Sequence, residues 1–220
     1  MNIFDILGPV MVGPSSSHTA GTVRIGYVTR TLLGSRPVSA EIGLCGSFAA
    51  TGKGHGTDRA LVAGLLGMKP DDMRIPDSFE AAREEGLTFR FEHIRVPGAH
   101  PNTAVLDVEA EDGRRIHVQA SSLGGGRIML DRIGGTEVHC TGERPTLLIR
   151  NQDSPGMAAE VTRILSEKKV NIATLQLYRD KRGGSAVMVI ETDQAVWEET
   201  IERLKQVEGI EKVTYIPTGE

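Results

Sequence analysis

The chain has 220 residues, 39% hydrophobic and 25% charged, with a formal net charge of −4; these are the proportions of one ordinary globular domain or a pair of modest ones. The acidic balance argues against a nucleic-acid binder, which carries a basic face, and no apolar run approaches membrane-spanning length. Aromatic residues make up only 4%, so Val, Ile, Leu, Ala and Met must build the core.

In chain order, the opening "MNIFDILGPVMVG" lacks the basic stretch and small-residue cleavage site of a secretion signal, and a cytoplasmic location is expected. Ser17 to Leu33 reads as a helix, with Ala20, Val23, Tyr27 and Leu32 on one face. "VSAEIGLCG" reads as a strand, "GSFAATGKGHGTD" as a flexible glycine-rich turn, and "TDRALVAGLLG" as a short helix. "LTFRFEHIRV", "TAVLDVEAE" and "RRIHVQASS" read as strands, the last two joined by the turn "EDGR", and "GGGRIMLDRIGG" adds another. This first domain, residues 1–143, is expected to be mixed α+β. A polar break at "TGERP", Thr141 to Pro145, opens a second domain over residues 144–220.

The second domain reads more regularly. "PTLLIRN" is a strand, and "DSPG" starts a helix with Ser154 as N-cap and Pro155 at its first position. Met157, Ala158, Val161, Ile164 and Leu165 fall on one helical face. "VNIATLQLYRD" and "SAVMVIETD" form a hairpin about "KRGG". A second helix places Trp197, Thr200, Ile201, Leu204 and Val207 on one side and stops at Gly209, and "IEKVTYI" closes the set. The order βαββαβ is that of a ferredoxin-like fold.

All six histidines precede Glu143, so acid–base chemistry near neutral pH is sought in the first domain. "GPSSSHTAG" sets Ser15, Ser16, Ser17, His18 and Thr19 ahead of a helix, whose free N–H groups favour carboxylate or phosphate. A cap needs fewer hydroxyls, so an anion or amino-acid site is the favoured reading. "GSFAATGKGHGTD" tempts a nucleotide-loop reading, but five residues separate Gly46 from Gly52-Lys53 and Gly54 follows, where that loop needs four and then Ser or Thr. What remains is a segment presenting Lys53, His55 and Asp58. "GAHPNTA" holds His100 and Asn102 in a turn, and "SSLGGGRI" places Gly124 to Gly126 between strands. His93, His117 and His139 sit in strand-like runs and read as structural. Cys45 and Cys140 are isolated, without the spacing of a metal or redox motif, and read as buried small hydrophobes.

The second domain, with "RNQDSPG" at its first turn and "KKVNIATLQLYR" after its helix, resembles an ACT domain over residues 145–217. That likeness implies an amino-acid effector loop at Asn151, Asp153 and Gly156, and pairing between copies. Across the whole chain, "GPSSSHTAG", "GSFAATGKGHGTD", "HPNT" and "SLGGGRI" resemble the beta subunit of the iron–sulfur-dependent bacterial L-serine dehydratases. The first domain also resembles the allosteric substrate-binding domain of some D-3-phosphoglycerate dehydrogenases.

The resemblance implies an L-serine ammonia-lyase, converting L-serine to pyruvate and ammonia with a [4Fe–4S] cluster. Two cysteines are too few for such a cluster; the resemblance implies that it is held by a separate alpha chain, or by a second domain in single-chain members, and the expectation for this chain is a separate alpha chain without which it is inactive. His55 is implied as the proton-transferring histidine and His18 as the second catalytic histidine, orienting substrate. Ser15, Ser16, Ser17 and Thr19 would line the carboxylate end, Lys53 would supply counter-charge, and His100 and Asn102 would complete the pocket. No metal is expected on this chain. An amino-acid sensor without catalysis is the alternative, since both halves resemble effector-binding domains.

Overall fold

The computed structural model describes residues 10–218; residues 1–9, part of the stretch read for a leader, lie outside them. The chain divides into two compact units between Gly135 and Thr136. The strand Thr136–Cys140 thus goes with the second unit, ahead of the change expected at Thr141–Pro145. Among the described residues no helix is long and apolar enough to cross a membrane.

Among the described residues the first element of the first unit is a five-residue π turn, Ser16–Ala20, that runs directly into α1, Gly21–Leu33. There follow β1 (Pro37–Leu44), α2 (Gly46–His55), α3 (Thr57–Leu65), α4 (Ser78–Glu84), β2 (Thr88–His93), β3 (Thr103–Ala110), β4 (Arg115–Gly124) and β5 (Arg127–Ile133). The strands lie in the order β2-β1-β3-β4-β5, with β1 parallel to β2 and the other pairs antiparallel. Alternation decides the register: Leu106 faces Val118 and Ala120 faces Leu130, all fully buried, while Asp107 and Glu109 take the opposite parity. Helix α1 packs on β4 and against α3.

The contact between α1 and α3 is backbone on backbone. A Cβ on Gly26 would fall 2.3 Å from the Leu61 carbonyl oxygen, and one on Gly64 would fall 2.1 Å from that of Val23. Only glycine permits this approach. The close crossing sets the start of α1 beside the start of α3.

One expectation is corrected here: "GSFAATGKGHG" is the helix α2, not a flexible turn. Its glycines lower helix propensity, but tertiary contacts override it. Phe48 is fully buried and anchors the helix, and Gly52 packs so closely on Thr57 that a Cβ would lie 3.1 Å from the Thr57 Cβ. Gly56, at φ 70°, ends α2 in the left-handed conformation and turns the chain into α3. A 3-10 turn at Ile75–Asp77 and α4 occupy a stretch where the sequence predicts no element. With only Ser78 and Ala82 buried in seven residues, α4 has almost no periodic signal.

The second unit contains β6 (Thr136–Cys140), β7 (Thr146–Gln152), α5 (Met157–Glu167), β8 (Ile172–Arg179), β9 (Ser185–Thr192), α6 (Glu198–Lys205) and β10 (Ile210–Ile216). From β7 onward the order is βαββαβ, and the sheet runs β10-β7-β9-β8, antiparallel throughout. Leu147, Ile149, Met188, Ile190 and Val213 form one core with Val161, Ile164 and Leu165 of α5 and Ile201 and Leu204 of α6. Two details differ from the sequence expectation. Helix α5 is entered through Gly156 at φ 90°, not through Ser154, because the left-handed turn places Pro155 before the helix. Trp197 is the N-cap of α6 and 75% exposed; it precedes the first turn, and Val196 takes the buried position instead.

Candidate active site

The serine cluster is built around His18. Gly13, at φ 138°, lies so close to Thr19 that a Cβ would meet the Thr19 Cγ2 at 2.5 Å, and Pro14 then directs the chain into the π turn. Ser15 caps that turn, its Oγ accepting from the His18 N–H at 3.2 Å. The wider π turn, of a kind often found at functional sites, swings the His18 ring among hydroxyls. Its Nδ1 lies 3.0 Å from Ser17 Oγ and 3.4 Å from Ser15 Oγ. Its Nε2 lies 3.1 Å from Ser47 Oγ and 3.2 Å from Thr51 Oγ1.

These contacts assign the tautomer. Thr51 donates its hydroxyl proton to the Ser47 carbonyl at 2.9 Å, so its oxygen is left to accept. The His18 proton therefore sits on Nε2, and Nδ1 accepts from a serine hydroxyl. Burial lowers the His18 pKa, the charge of His55 lowers it further, and a contact with the Ser47 backbone opposes both. The ring is neutral at neutral pH. Its main chain is fixed as well, since the His18 carbonyl accepts from Thr22 Oγ1 at 2.7 Å and Thr57 Oγ1 at 3.1 Å.

His55, the last residue of α2, is exposed, with its ring centroid 5.0 Å from that of His18 and tilted by 43°. Its carbonyl accepts from Thr19 Oγ1 at 3.4 Å. Phe48 meets the His18 ring edge-on at 5.3 Å. A half-buried neutral imidazole thus stands beside an exposed one.

The other two stretches close around the same elements. Pro101 accepts from the Ser47 N–H at 2.8 Å, and the Gly46 position is tight enough that a Cβ would lie 2.7 Å from the Pro101 oxygen. Asn102 accepts through its carbonyl from the Ser122 N–H at 2.9 Å and donates its own N–H to His100 Nδ1 at 3.1 Å. At the glycine triplet, the Gly125 N–H donates to Ser16 Oγ at 3.2 Å and Arg24 reaches the Gly126 carbonyl at 3.0 Å. Gly21 sits against Ser122, whose buried Oγ has no hydrogen-bond partner among the described residues. All four stretches therefore meet within one unit. His18 and His55 are side by side, whereas His100 and Asn102 join through main-chain and local bonds. Ser47, Thr51 and Thr57, which hold His18, were not anticipated; Ser47 and Thr51 are four apart, a signal visible only once α2 is a helix. His55 and Lys53 also border a cavity of about 380 Å³.

Of the expected effector residues, Asn151 is 1% exposed, donating through Nδ2 to the Gln152 carbonyl at 2.7 Å and leaving Oδ1 without a partner among the described residues. Asp153 Oδ2 accepts from the Gly183 N–H at 2.9 Å and Arg179 at 3.2 Å, and these, the first above all, hold its carboxyl below its usual range. It clamps the turn before α5 to the β8–β9 hairpin. Gly156 supplies the backbone turn into α5.

The cysteines do not fit an iron–sulfur cluster. Cys45 and Cys140 are buried, and burial raises both thiols, Cys140 to about 11. Ligation requires thiolates. Among the described residues no group of three or more His, Cys, Asp or Glu could hold a metal ion.

Comparison with known proteins identifies the family of each part of the chain. Residues 2–132 match the family described as "Serine dehydratase beta chain", and residues 145–209 match the ACT domain. A Bacillus subtilis protein named "Probable L-serine dehydratase, beta chain" is 38% identical over 215 residues, covering 98% of this chain and 97% of that one. The "L-serine dehydratase, beta chain" of Peptoniphilus asaccharolyticus is 36% identical over 214 residues, covering 97% and 96%. A D-3-phosphoglycerate dehydrogenase of Methanocaldococcus jannaschii is 30% identical over 112 residues, covering 50% of this chain and 21% of that one. The chain belongs to the serine dehydratase beta chain family, with an ACT domain after the family's own domain.

Proposed function

We propose that this chain is the acid–base half of an L-serine ammonia-lyase, which converts L-serine to pyruvate and ammonia. The observation that carries the reading is the His18–His55 pair, one ring neutral and held at both nitrogens, the other exposed beside a cavity. His55 is the base: it takes the α-proton, the C–H electrons form the Cα–Cβ double bond, and the β-hydroxyl departs. The resulting 2-aminoacrylate hydrolyses to pyruvate and ammonia. His18 does not compete for that proton, because its nitrogens are already engaged; it holds Ser17 and Ser47 and orients what binds beside His55.

A [4Fe–4S] cluster would supply Lewis-acid assistance to the leaving hydroxyl, and a separate alpha chain would hold it, because burial raises the pKa of both of this chain's thiols. His55→Ala, in the reconstituted two-chain enzyme, should lower turnover at least ~10²-fold, the usual scale of general acid–base catalysis. Turnover within a few-fold of wild type would move the base elsewhere. In the same reading the protein is cytoplasmic and pairs through its ACT domain, where the edge strand β8 exposes Leu175 and Leu177. The unpartnered Asn151 Oδ1 supports an amino-acid effector at that domain.

A further inference from the structure

The serine cluster makes a poor carboxylate site, because its hydroxyls are already engaged. Ser15 and Ser17 bond His18, and Ser16 accepts from the Gly125 N–H. The cavity beside His55 is furnished differently. Lys53, Asp58 and Arg59 line it on its polar side, and Ile75 and Phe79 give it an apolar wall.

The charges in this cavity are not paired with one another. Among the described residues neither Lys53 nor Arg59 forms an ion pair. The Arg59 guanidinium is held instead over the Phe79 ring, 5.8 Å from its centroid, a contact that orients the group without neutralising it. Asp58 uses Oδ1 to accept from the Arg59 N–H at 2.8 Å, and Oδ2 has no hydrogen bond among the described residues. Two cations lacking counter-ions, one carboxylate with an open oxygen and an adjacent imidazole make the complement of a zwitterion.

We infer that this cavity receives an α-amino acid, with its carboxylate between Lys53 and Arg59, its ammonium on Asp58 and its α-carbon turned to His55. The assignment deepens the dehydratase reading and rests on it for the identity of the amino acid. It moves the carboxylate from the serine cluster to the cations. It also gives Asp58 a role that a simple carboxylate ligand would not need.

The test is a titration of the full-length chain, followed by the NMR shift of the His55 ring. L-serine, 3-hydroxypropanoate, which lacks the ammonium, and ethanolamine, which lacks the carboxylate, are the three probes. L-serine should give a saturable shift, with either truncated probe at least about tenfold weaker, the lower end for a hydrogen bond to a charged group. Asp58→Asn should abolish the preference for L-serine over 3-hydroxypropanoate. Lys53→Met and Arg59→Met should each weaken L-serine by about tenfold. Equal binding of 3-hydroxypropanoate and L-serine to the wild-type chain, or no His55 shift with L-serine, would overturn the inference. In the reconstituted enzyme, pyruvate formation with an unchanged KM in Asp58→Asn would overturn this inference and leave the dehydratase reading standing. Saturable L-serine binding at His55 with no pyruvate from the complex would do the reverse.

Discussion

His18 shows how one side chain is given a fixed state by its neighbours. Burial and the nearby His55 lower its pKa from the ordinary value of 6.5, so the folded chain binds fewer protons than the unfolded chain in the window below that value. Stability therefore rises with pH across the window. The contribution is complete above 6.5 and is lost as pH falls through the lowered folded value. Thermal unfolding followed from neutral pH downward should show a fall in Tm that is shallower in His18→Asn. Equal slopes in the two proteins would mean that His18 titrates freely in the native state. The sequence made this histidine conspicuous through the serines around it. It did not show that Ser47 and Thr51, on a different element, hold the other nitrogen.

At the scale of elements, the glycines divide by what surrounds them. Gly64 has no room, because a Cβ would lie 2.1 Å from the Val23 carbonyl oxygen, whereas Gly54 of α2 has nothing within 4 Å. Gly64→Ala should destabilise the protein by about 1–3 kcal/mol, since forced overpacking of a tight contact outweighs the gain of about 1 kcal/mol in helix propensity. Gly54→Ala should be neutral or stabilising by up to about 1 kcal/mol. Urea unfolding of both variants measures the difference, and a Gly64→Ala midpoint at or above wild type would show that α1 and α3 separate without cost. The ACT strands and both of its helices were legible because their apolar periodicity is strong, with Val161, Ile164 and Leu165 on one face of α5 and Ile201 and Leu204 on one face of α6. Helix α2 was not legible: it carries Gly46, Gly52 and Gly54, and its conformation depends on Phe48 and Thr57 rather than on its own preferences.

For the whole molecule, the reading requires a second chain. The purified chain should carry no iron, show no iron–sulfur absorption and form no pyruvate from L-serine, and it should sediment as a dimer through its ACT domain. Addition of a cluster-bearing alpha chain should restore pyruvate formation. Pyruvate from the chain alone would end the two-chain reading, and sedimentation as a monomer would end the proposed pairing. Burial reinforces the first expectation, because it pushes the Cys140 thiol up to about 11, outside the range where a thiolate forms at neutral pH.

Local chemistry alone determined a good deal: the two-part organisation, the βαββαβ order of the second domain and the four stretches in which polar groups gather. Such features depend on periodicity, turn residues and composition, which neighbours in the chain decide. Tertiary structure decided the rest. The crossing of α1 and α3 at Gly26 and Gly64, the burial of Phe48 and the π turn at Ser16–Ala20 bring His18 to within 5.0 Å of His55, ring to ring. The same packing engages Ser15, Ser16 and Ser17 and leaves Lys53, Asp58 and Arg59 facing a shared cavity. Contacts between residues distant in the chain arise only when helices and strands pack, and in this protein those contacts determine which polar groups are occupied and which stay open to a ligand.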